Sequence, residues 1–276
     1  MSGERVQVLQ KRGEWVHAGR CCGPALMRRT PGEEERHGKC QISSDVKPSR
    51  IQPQQRGTRN MFPIGDDDTA RRTVPLVTYA LIALNVLFFL VELSGGDGFI
   101  AKWAFVPSRF LGNPLADSLT LLTAMFMHAG WVHLGGNMLY LWIFGDNVED
   151  RFGHLKFAIF YLLCGLAATF AQLAFSIGSD VPNLGASGAI AGVLGAYILL
   201  FPQGRIRVLQ GQQVIQVPAL IVIGFWIALQ LLSGVGAIGD IAQTGGVAYM
   251  AHVGGFLAGF VLTFLFRGSG GARATG

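Results

Sequence analysis

From residue 74 onward, apolar residues gather in long blocks separated by short polar connections, whereas residues 1–60 show neither a helical nor an alternating apolar period. A bilayer core of about 30 Å needs roughly 20 apolar residues rising about 1.5 Å each. Six stretches qualify or nearly so: Val74–Leu93, Trp131–Gly145, Phe157–Ile177, Gly185–Phe201, Val214–Val235 and Gly245–Phe266. The pattern predicts an all-α fold, a polytopic membrane protein built as a six-transmembrane-helix bundle. The second and fourth stretches are short, so each is expected to start below the membrane surface. Irregular backbone at that depth is tolerated only where protein shields it or where it lines a wet cavity, so a cavity is implied.

Three regions follow from this reading: residues 1–73, a disordered cytoplasmic tail; residues 74–266, the helical domain; and residues 267–276, a short cytoplasmic tail. The tail mixes Arg, Gly, Gln, Pro and Glu, and it cannot bury enough apolar surface to offset the entropy of ordering it. It lacks the central apolar run of a signal peptide. Met61 opens a short segment leading into the first block, which predicts translation starting there; peptides from residues 1–60 in the natural product would refute that.

Half of the residues are hydrophobic and 14% are charged, which fits a membrane protein. The formal charge of +5 does not indicate nucleic acid, because Lys and Arg lie in the tail or flank apolar blocks. They set an orientation instead. With a cytoplasmic N-terminus, that side collects Arg71, Arg72, Arg151, Lys156, Arg205, Arg207, Arg267 and Arg273, against Lys102 and Arg109 outside. Both termini are therefore expected inside. The long connection 94–130 lies outside, and its amphipathic pieces, FIAKWAF and Leu119–Ala129, are read as interfacial. Cys21, Cys22, Cys40 and Cys164 have neither metal-ligand spacing nor a paired framework. Cys164 reads as a small apolar filler, and Gly135 and Gly136 as sites of helix contact.

Polar groups inside spans are costly, and each is a functional candidate. His133 and Asn137 stand four apart on one face at the start of the second span. Ser187 lies in Gly185-Ala186-Ser187-Gly188 at the start of the fourth, and His252 lies about two turns into the sixth, before Gly254 and Gly255. With the orientation above, all four share the outer third of the membrane. A serine in such a small-residue stretch standing alone would read as a helix-packing site. With a histidine at the same depth, it reads as a nucleophile with its base. Gly188, Gly192 and Gly195 on one span and Gly254, Gly255 and Gly259 on the other would let the two backbones approach. The start of the fourth span adds free N–H groups and a positive dipole end that stabilise an oxyanion. His128, at the end of the interfacial run, reads as a headgroup-facing or structural residue.

This set resembles the rhomboid family of intramembrane serine proteases over essentially all of residues 74–266. The matching motifs are His133-x-x-x-Asn137 in MHAGWVHLGGNMLYLW, Gly185-x-Ser187-Gly188 in NLGASGAIAG, and His252 with its paired glycines in AYMAHVGGFLAG. The resemblance implies a catalytic dyad of Ser187 and His252. It also implies an oxyanion hole of His133, Asn137 and the backbone N–H groups of Ser187 and Gly188, with Gly185, Gly254 and Gly255 in support. Glu149-x-Arg151 resembles the family's acidic/basic pair, with a structural role. Two departures stand out. Leu119 and Thr120 occupy the positions of the Trp-Arg pair often found in the first loop, and Ala191 replaces an aromatic that stacks on the catalytic histidine in some members. Orientation of His252 must then come from elsewhere, with Tyr249 or the packing of the glycine face as candidates.

The function expected is an intramembrane serine endopeptidase acting on single-pass transmembrane proteins. It needs no cofactor or metal, touches membrane lipid and no nucleic acid, and sits in the cell membrane. The alternatives are a catalytically silent rhomboid-like client-binding protein and a transporter. Against the latter, no internal repeat and no matching pair of broken helices is present. The fifth span, with Pro218, Gly224, Phe225 and Trp226, is expected to be a moving wall.

Overall fold

The computed structural model describes residues 10–11, 14–15, 61–66, 71–236 and 248–267. The chain divides into two units, residues 1–55 and 56–276. In the first, β1 (Gln10–Lys11) pairs antiparallel with β2 (Glu14–Trp15).

The second unit begins with β3 (Met61–Gly65), continues with α1 (Leu76–Trp103), and then folds the expected outer connection into α2 (Pro107–Gly112), α3 (Pro114–Asp117), α4 (Thr120–Thr123) and a 3-10 turn over Ala124–Phe126. Next come α5 (Trp131–Phe152), α6 (His154–Phe175), α7 (Ser187–Leu200), the strands β4 (Arg205–Gln210) and β5 (Gln213–Pro218), α8 (Ala219–Gly236) and α9 (Tyr249–Phe266). Among the described helices, α1, α6, α8 and α9 are each long and apolar enough to cross a membrane. The chain is a polytopic helical membrane protein.

Helix α7 is the axis of the bundle. It is apolar on every side, and every residue from Gly188 to Tyr197 is buried, as expected of a helix enclosed by others. Fourteen residues give it a length of about 21 Å, well short of a bilayer core. It is thus too short to cross on its own, as its short apolar block predicts. Around it pack α5, α6 and α9 over a core that includes Leu141, Phe144, Val148, Phe157, Phe160, Leu194 and the buried free thiol Cys164.

Small residues set the spacing. A Cβ on Gly255 would overlap the carbonyl oxygen of Gly188, one on Gly259 that of Gly192, and one on Gly195 that of Phe256, so α7 and α9 touch backbone to backbone. The paired glycines serve two neighbours, because Gly254 faces Ala171 on α6 while Gly255 faces α7. Gly135 and Gly136 do not follow their expected role: among the described residues, no atom of a neighbouring element lies within 4 Å of where either Cβ would stand.

Several element boundaries differ from the hydropathy reading. Helix α5 continues two turns past Gly145 because its polar end is satisfied internally. Glu149, fully buried, accepts hydrogen bonds from Val77 N (2.9 Å), Thr78 N (2.7 Å) and Thr78 Oγ1 (2.7 Å), and it lies 2.5 Å from His154 Nδ1. It thereby caps the start of α1, which has no side-chain cap of its own, and puts a carboxylate at a positive dipole end. Arg151 does not pair with it. Its guanidinium lies 5.4 Å from the Phe201 ring centre. The glycine at 153, with φ of +81°, makes the tight turn into α6.

Val214–Pro218, expected as the start of the fifth span, is instead strand β5. Strands β4 and β5 form a hairpin with Arg205 opposite Pro218 and Gln210 opposite Gln213, and β3 pairs on the other edge of β4. In β4, Ile206 and Val208 turn into the core while Arg205 and Arg207 face out, the period-two pattern of a strand with one covered face.

The tail boundary at residue 73 is also corrected. Met61–Gly65 is a paired strand, and the buried Asp66 accepts hydrogen bonds from Asn147 Nδ2 (2.6 Å) and Tyr197 OH (2.7 Å). Arg71 pairs with Asp146 at 2.6 Å, and Asp150 accepts from the backbone N–H groups of Arg72 and Thr73 and from the Thr73 hydroxyl. Most of the tail expected to be disordered, including Cys21, Cys22 and Cys40, lies outside the described residues.

Candidate active site

Three helix N-termini meet at one place. His133 is in the first turn of α5, Ser187 is the first residue of α7, and His252 is in the first turn of α9. His252 was expected about two turns into its span. The described helix starts at Tyr249, and Gly245–Val247 lie outside the described residues. The positive dipole ends of three helices thus bear on one point, and α7 starts without a side-chain cap, which leaves its first-turn N–H groups without intrahelical acceptors.

Ser187 Oγ lies 2.8 Å from His252 Nε2. The other ring nitrogen, Nδ1, lies 2.7 Å from Gln230 Oε1 on α8. Trp226, four residues earlier on the same face of α8, stands 5.5 Å ring to ring from His252 with planes at 42°. An aromatic from α8 thus packs against His252 where Ala191 offers none. Tyr249, the expected candidate, instead packs beside Gly234.

On the other side of Ser187, the backbone of Gly185 turns with φ of +134°, a conformation L side chains rarely adopt. A Cβ there would also meet His133 Cε1 at 2.9 Å and Nε2 at 3.0 Å, and Ser187 Oγ at 3.6 Å. Only glycine lets His133 lie against the loop that presents the serine. Ala129 N–H donates to His133 Nδ1 at 3.4 Å, so a neutral His133 carries its proton on Nε2, the ring nitrogen nearer Gly185. Asn137, one turn further along α5, is buried, and its Nδ2 has no hydrogen-bond partner among the described residues. An unused buried amide donor is costly unless something transient accepts from it.

The serine loop is fixed by the connection between α1 and α5. Gly185 N donates to Ala124 O at 2.8 Å, and Phe105 and Asn183 exchange backbone hydrogen bonds of 3.2 and 2.7 Å. Arg109 holds that connection together, with Nε on Asp117 at 2.6 Å and further bonds to the carbonyls of Ala101 and Ala104. His128 is fully enclosed between Phe89 and His133, and its backbone N–H donates to Glu92 at 2.9 Å, so it is a structural residue and does not face headgroups. A cavity of about 40 Å³ lies beside Ser187, lined among others by Met125, Thr169, Gln172, Asn183 and Ala251. That is room for water next to the hydroxyl. Gln172 Oε1 also accepts from Ala251 N at 3.2 Å, tying the start of α9 to α6.

A serine held by a histidine at the start of a buried helix, inside a polytopic bundle, defines a class of membrane-embedded proteins with a serine–histidine pair. Comparison with known proteins gives the family. The Rhomboid domain matches residues 116–269, more than half of the chain. The rhomboid protease GluP of Bacillus subtilis is 33% identical over 206 residues, 72% of this chain and 37% of that protein. The mitochondrial rhomboid protein 1 of Saccharomyces cerevisiae is 30% identical over 188 residues, 66% of this chain and 51% of its own length. A chloroplastic rhomboid-like protein 11 of Arabidopsis thaliana is 28% identical over 192 residues, 66% of this chain and 65% of that protein. The chain belongs to the rhomboid family. It spans about a third to two thirds of the length of these relatives.

Of the residues expected at the site, Ser187, His252, His133, Gly185 and Gly188 are brought together. Asn137 stands one turn from His133 with a free donor, and Gly254 and Gly255 set the approach of α9. Gln230 was missed, and Trp226 was expected only as part of a moving wall, not beside His252. Gln230 is a polar side chain in the middle of an apolar block, and that cost alone marks it as a candidate.

Proposed function

We propose that this protein is an intramembrane serine endopeptidase that hydrolyses peptide bonds in or near transmembrane segments of single-pass membrane proteins. The observation that carries the reading is the 2.8 Å contact between Ser187 Oγ and His252 Nε2 at the uncapped start of α7. A serine is a weak nucleophile until a base takes its proton, and that distance is within reach of the transfer.

His252 takes the Ser187 proton as Oγ attacks the carbonyl carbon, and negative charge develops on the carbonyl oxygen. The N–H groups of Ser187 and Gly188, the Nε2–H of His133 and the free Nδ2 of Asn137 are the donors for that charge, aided by the helix dipoles. The imidazolium then gives its proton to the leaving amine, and the C–N bond breaks to leave an ester on Ser187. Water from the adjoining cavity, deprotonated by His252, attacks the ester; the proton returns to Oγ, and the acid product leaves. A helical peptide bond is already hydrogen-bonded and shielded, so the substrate segment must be extended or easily unwound.

The same reading places the protein in the cell membrane with both termini cytoplasmic, as the distribution of Lys and Arg supports. Accessibility of single cysteines introduced at 112 and 203 to a membrane-impermeant reagent in intact cells tests it. Labelling at 112 alone supports the orientation, and labelling at 203 alone reverses it.

The test of the reaction is cleavage of a tagged transmembrane substrate by purified protein in liposomes. Wild type is expected to cut, and Ser187→Ala and His252→Ala to lose at least about 10³-fold in kcat while keeping their fold. Activity surviving in Ser187→Ala would eliminate the nucleophile. Wild-type inactivity across a panel of substrates, with client capture intact, would favour the silent client-binding alternative.

A further inference from the structure

The serine and histidine are not the last members of their hydrogen-bond chain. Resting on the protease reading above, we propose that Gln230 is the positioning residue of His252, holding the imidazole in the one tautomer that can accept the Ser187 proton and supporting the imidazolium that forms.

A neutral imidazole has one N–H and one bare nitrogen, so Nε2 can take the serine proton only if Nδ1 carries the hydrogen. Something must reward that arrangement, since the two tautomers otherwise interconvert freely. Gln230 Oε1, 2.7 Å from Nδ1, is an acceptor and cannot donate. It therefore favours Nδ1–H and leaves Nε2 bare toward Ser187 Oγ at 2.8 Å. When the proton arrives at Nε2, the Nδ1–H bond to Gln230 becomes charge-assisted and strengthens at the moment charge develops. An amide has no proton to lose under these conditions, so it does this without adding a charge to the apolar interior, as a carboxylate would.

The surroundings fit that role. Trp226 lies one helical turn before Gln230, with its ring 5.5 Å from the imidazole and the planes tilted by 42°, so α8 both hydrogen-bonds and packs against His252. The next residue on this stripe is Gly234, packed against Tyr249 and Met250 of α9. Most of α8 is otherwise exposed on the outside of the bundle: only Ala219, Ile223 and Gly234 are buried in it. Its contact with His252 is thus one of the few places where α8 meets the interior, and the residue there is polar where packing alone would favour an aliphatic one.

The test compares Gln230→Met, which keeps length and volume but removes the acceptor, with Gln230→Glu, which keeps an acceptor. Three readouts are taken on the full-length protein: kcat and KM for a tagged transmembrane substrate in liposomes, the rate of Ser187 labelling by a fluorophosphonate, and the nitrogen-15 shifts of the His252 ring in micelles. Gln230→Met is expected to lower kcat by about 10- to 100-fold with KM changed less than about twofold, the pattern of an interaction that matters in the transition state. It is also expected to slow labelling similarly and to move the ring from Nδ1–H to a mixture of tautomers. Gln230→Glu is expected to recover most of the rate. Wild-type kcat in Gln230→Met with an unmoved tautomer overturns the proposal, and so does an equal loss in both variants accompanied by equal loss of thermal stability. If wild type itself neither cleaves nor labels, the protease reading falls, and the tautomer measurement alone still decides whether Gln230 holds the ring.

Discussion

Gly185 shows how much of the site hangs on a missing atom. Its backbone has φ of +134°, and the space a Cβ would need is filled by His133. Gly185→Ala therefore carries about 1–3 kcal/mol of local backbone strain and pushes His133 or the serine loop aside. Displacement of about 1 Å between reacting groups can cost 10²-fold, so kcat of Gly185→Ala is expected near 1% of wild type while the protein still folds. Cleavage kinetics beside a thermal melt check this; a wild-type rate would show that the loop accommodates the methyl. At this scale the sequence was informative wherever a polar group stood in an apolar block, because burying one demands a reason. That logic found Ser187, His252, His133 and Asn137. It applies equally to Gln230, although a neutral amide stands out less than an imidazole among Leu and Ile. Trp226 stood out only as a bulky residue of the fifth span, and only the turn of α8 reveals that it packs against His252.

Helices α7 and α9 meet through glycines, and their spacing is what lets a serine on one reach a histidine on the other. A side chain at 255 would overlap the Gly188 carbonyl, next to the nucleophile itself. Gly255→Leu is expected to cost at least about 3 kcal/mol and to abolish cleavage, with folding and activity lost together, whereas Gly135→Ala, with open space around it, leaves both unchanged. Melting and cleavage assays on the two variants separate contact glycines from incidental ones. Helices were legible because a 20-residue apolar block has few other fates. The β4–β5 hairpin was not, for a physical reason: Val214, Ile215 and Val217 are as apolar as a span, so averaged hydropathy joined them to α8. The alternation of Arg205, Ile206, Arg207 and Val208, followed by Gly211, was the available signal of strand and turn. Glu149 was placed at a helix end as a structural carboxylate, but its partner, the start of α1, lies 71 residues away in sequence and no local pattern reports it.

For the whole molecule, the polar end of the bundle is where pH and truncation should act. Burial raises the Asp150 carboxyl, but the Thr73 hydroxyl, the Arg72 and Thr73 N–H groups and the Arg72 charge outweigh it and leave Asp150 below its ordinary 3.8. A depressed folded value means that its stabilisation is present above 3.8 and fades as pH falls from there through the lower folded value. Thermal stability is expected to decline over that acid window, and Asp150→Asn to start lower at neutral pH and decline less.

Strand β3 joins the hairpin edge, and Asp66 reaches from it to Asn147 on α5 and Tyr197 on α7, so one short stretch before the first long helix ties together the ends of two helices whose other ends carry His133 and Ser187. A protein beginning at Met61 keeps all of these bonds. One beginning at Arg71 loses the strand and the carboxylate, which leaves a buried amide and a buried phenol with fewer acceptors, a loss of about 2–4 kcal/mol. The expected result is that the first melts and cleaves like the full chain, while the second melts lower and cleaves more slowly at raised temperature. Equal melting of the two would mean that the bundle holds its polar end without β3, and a drop already at Met61 would place the stabilising contact before residue 61.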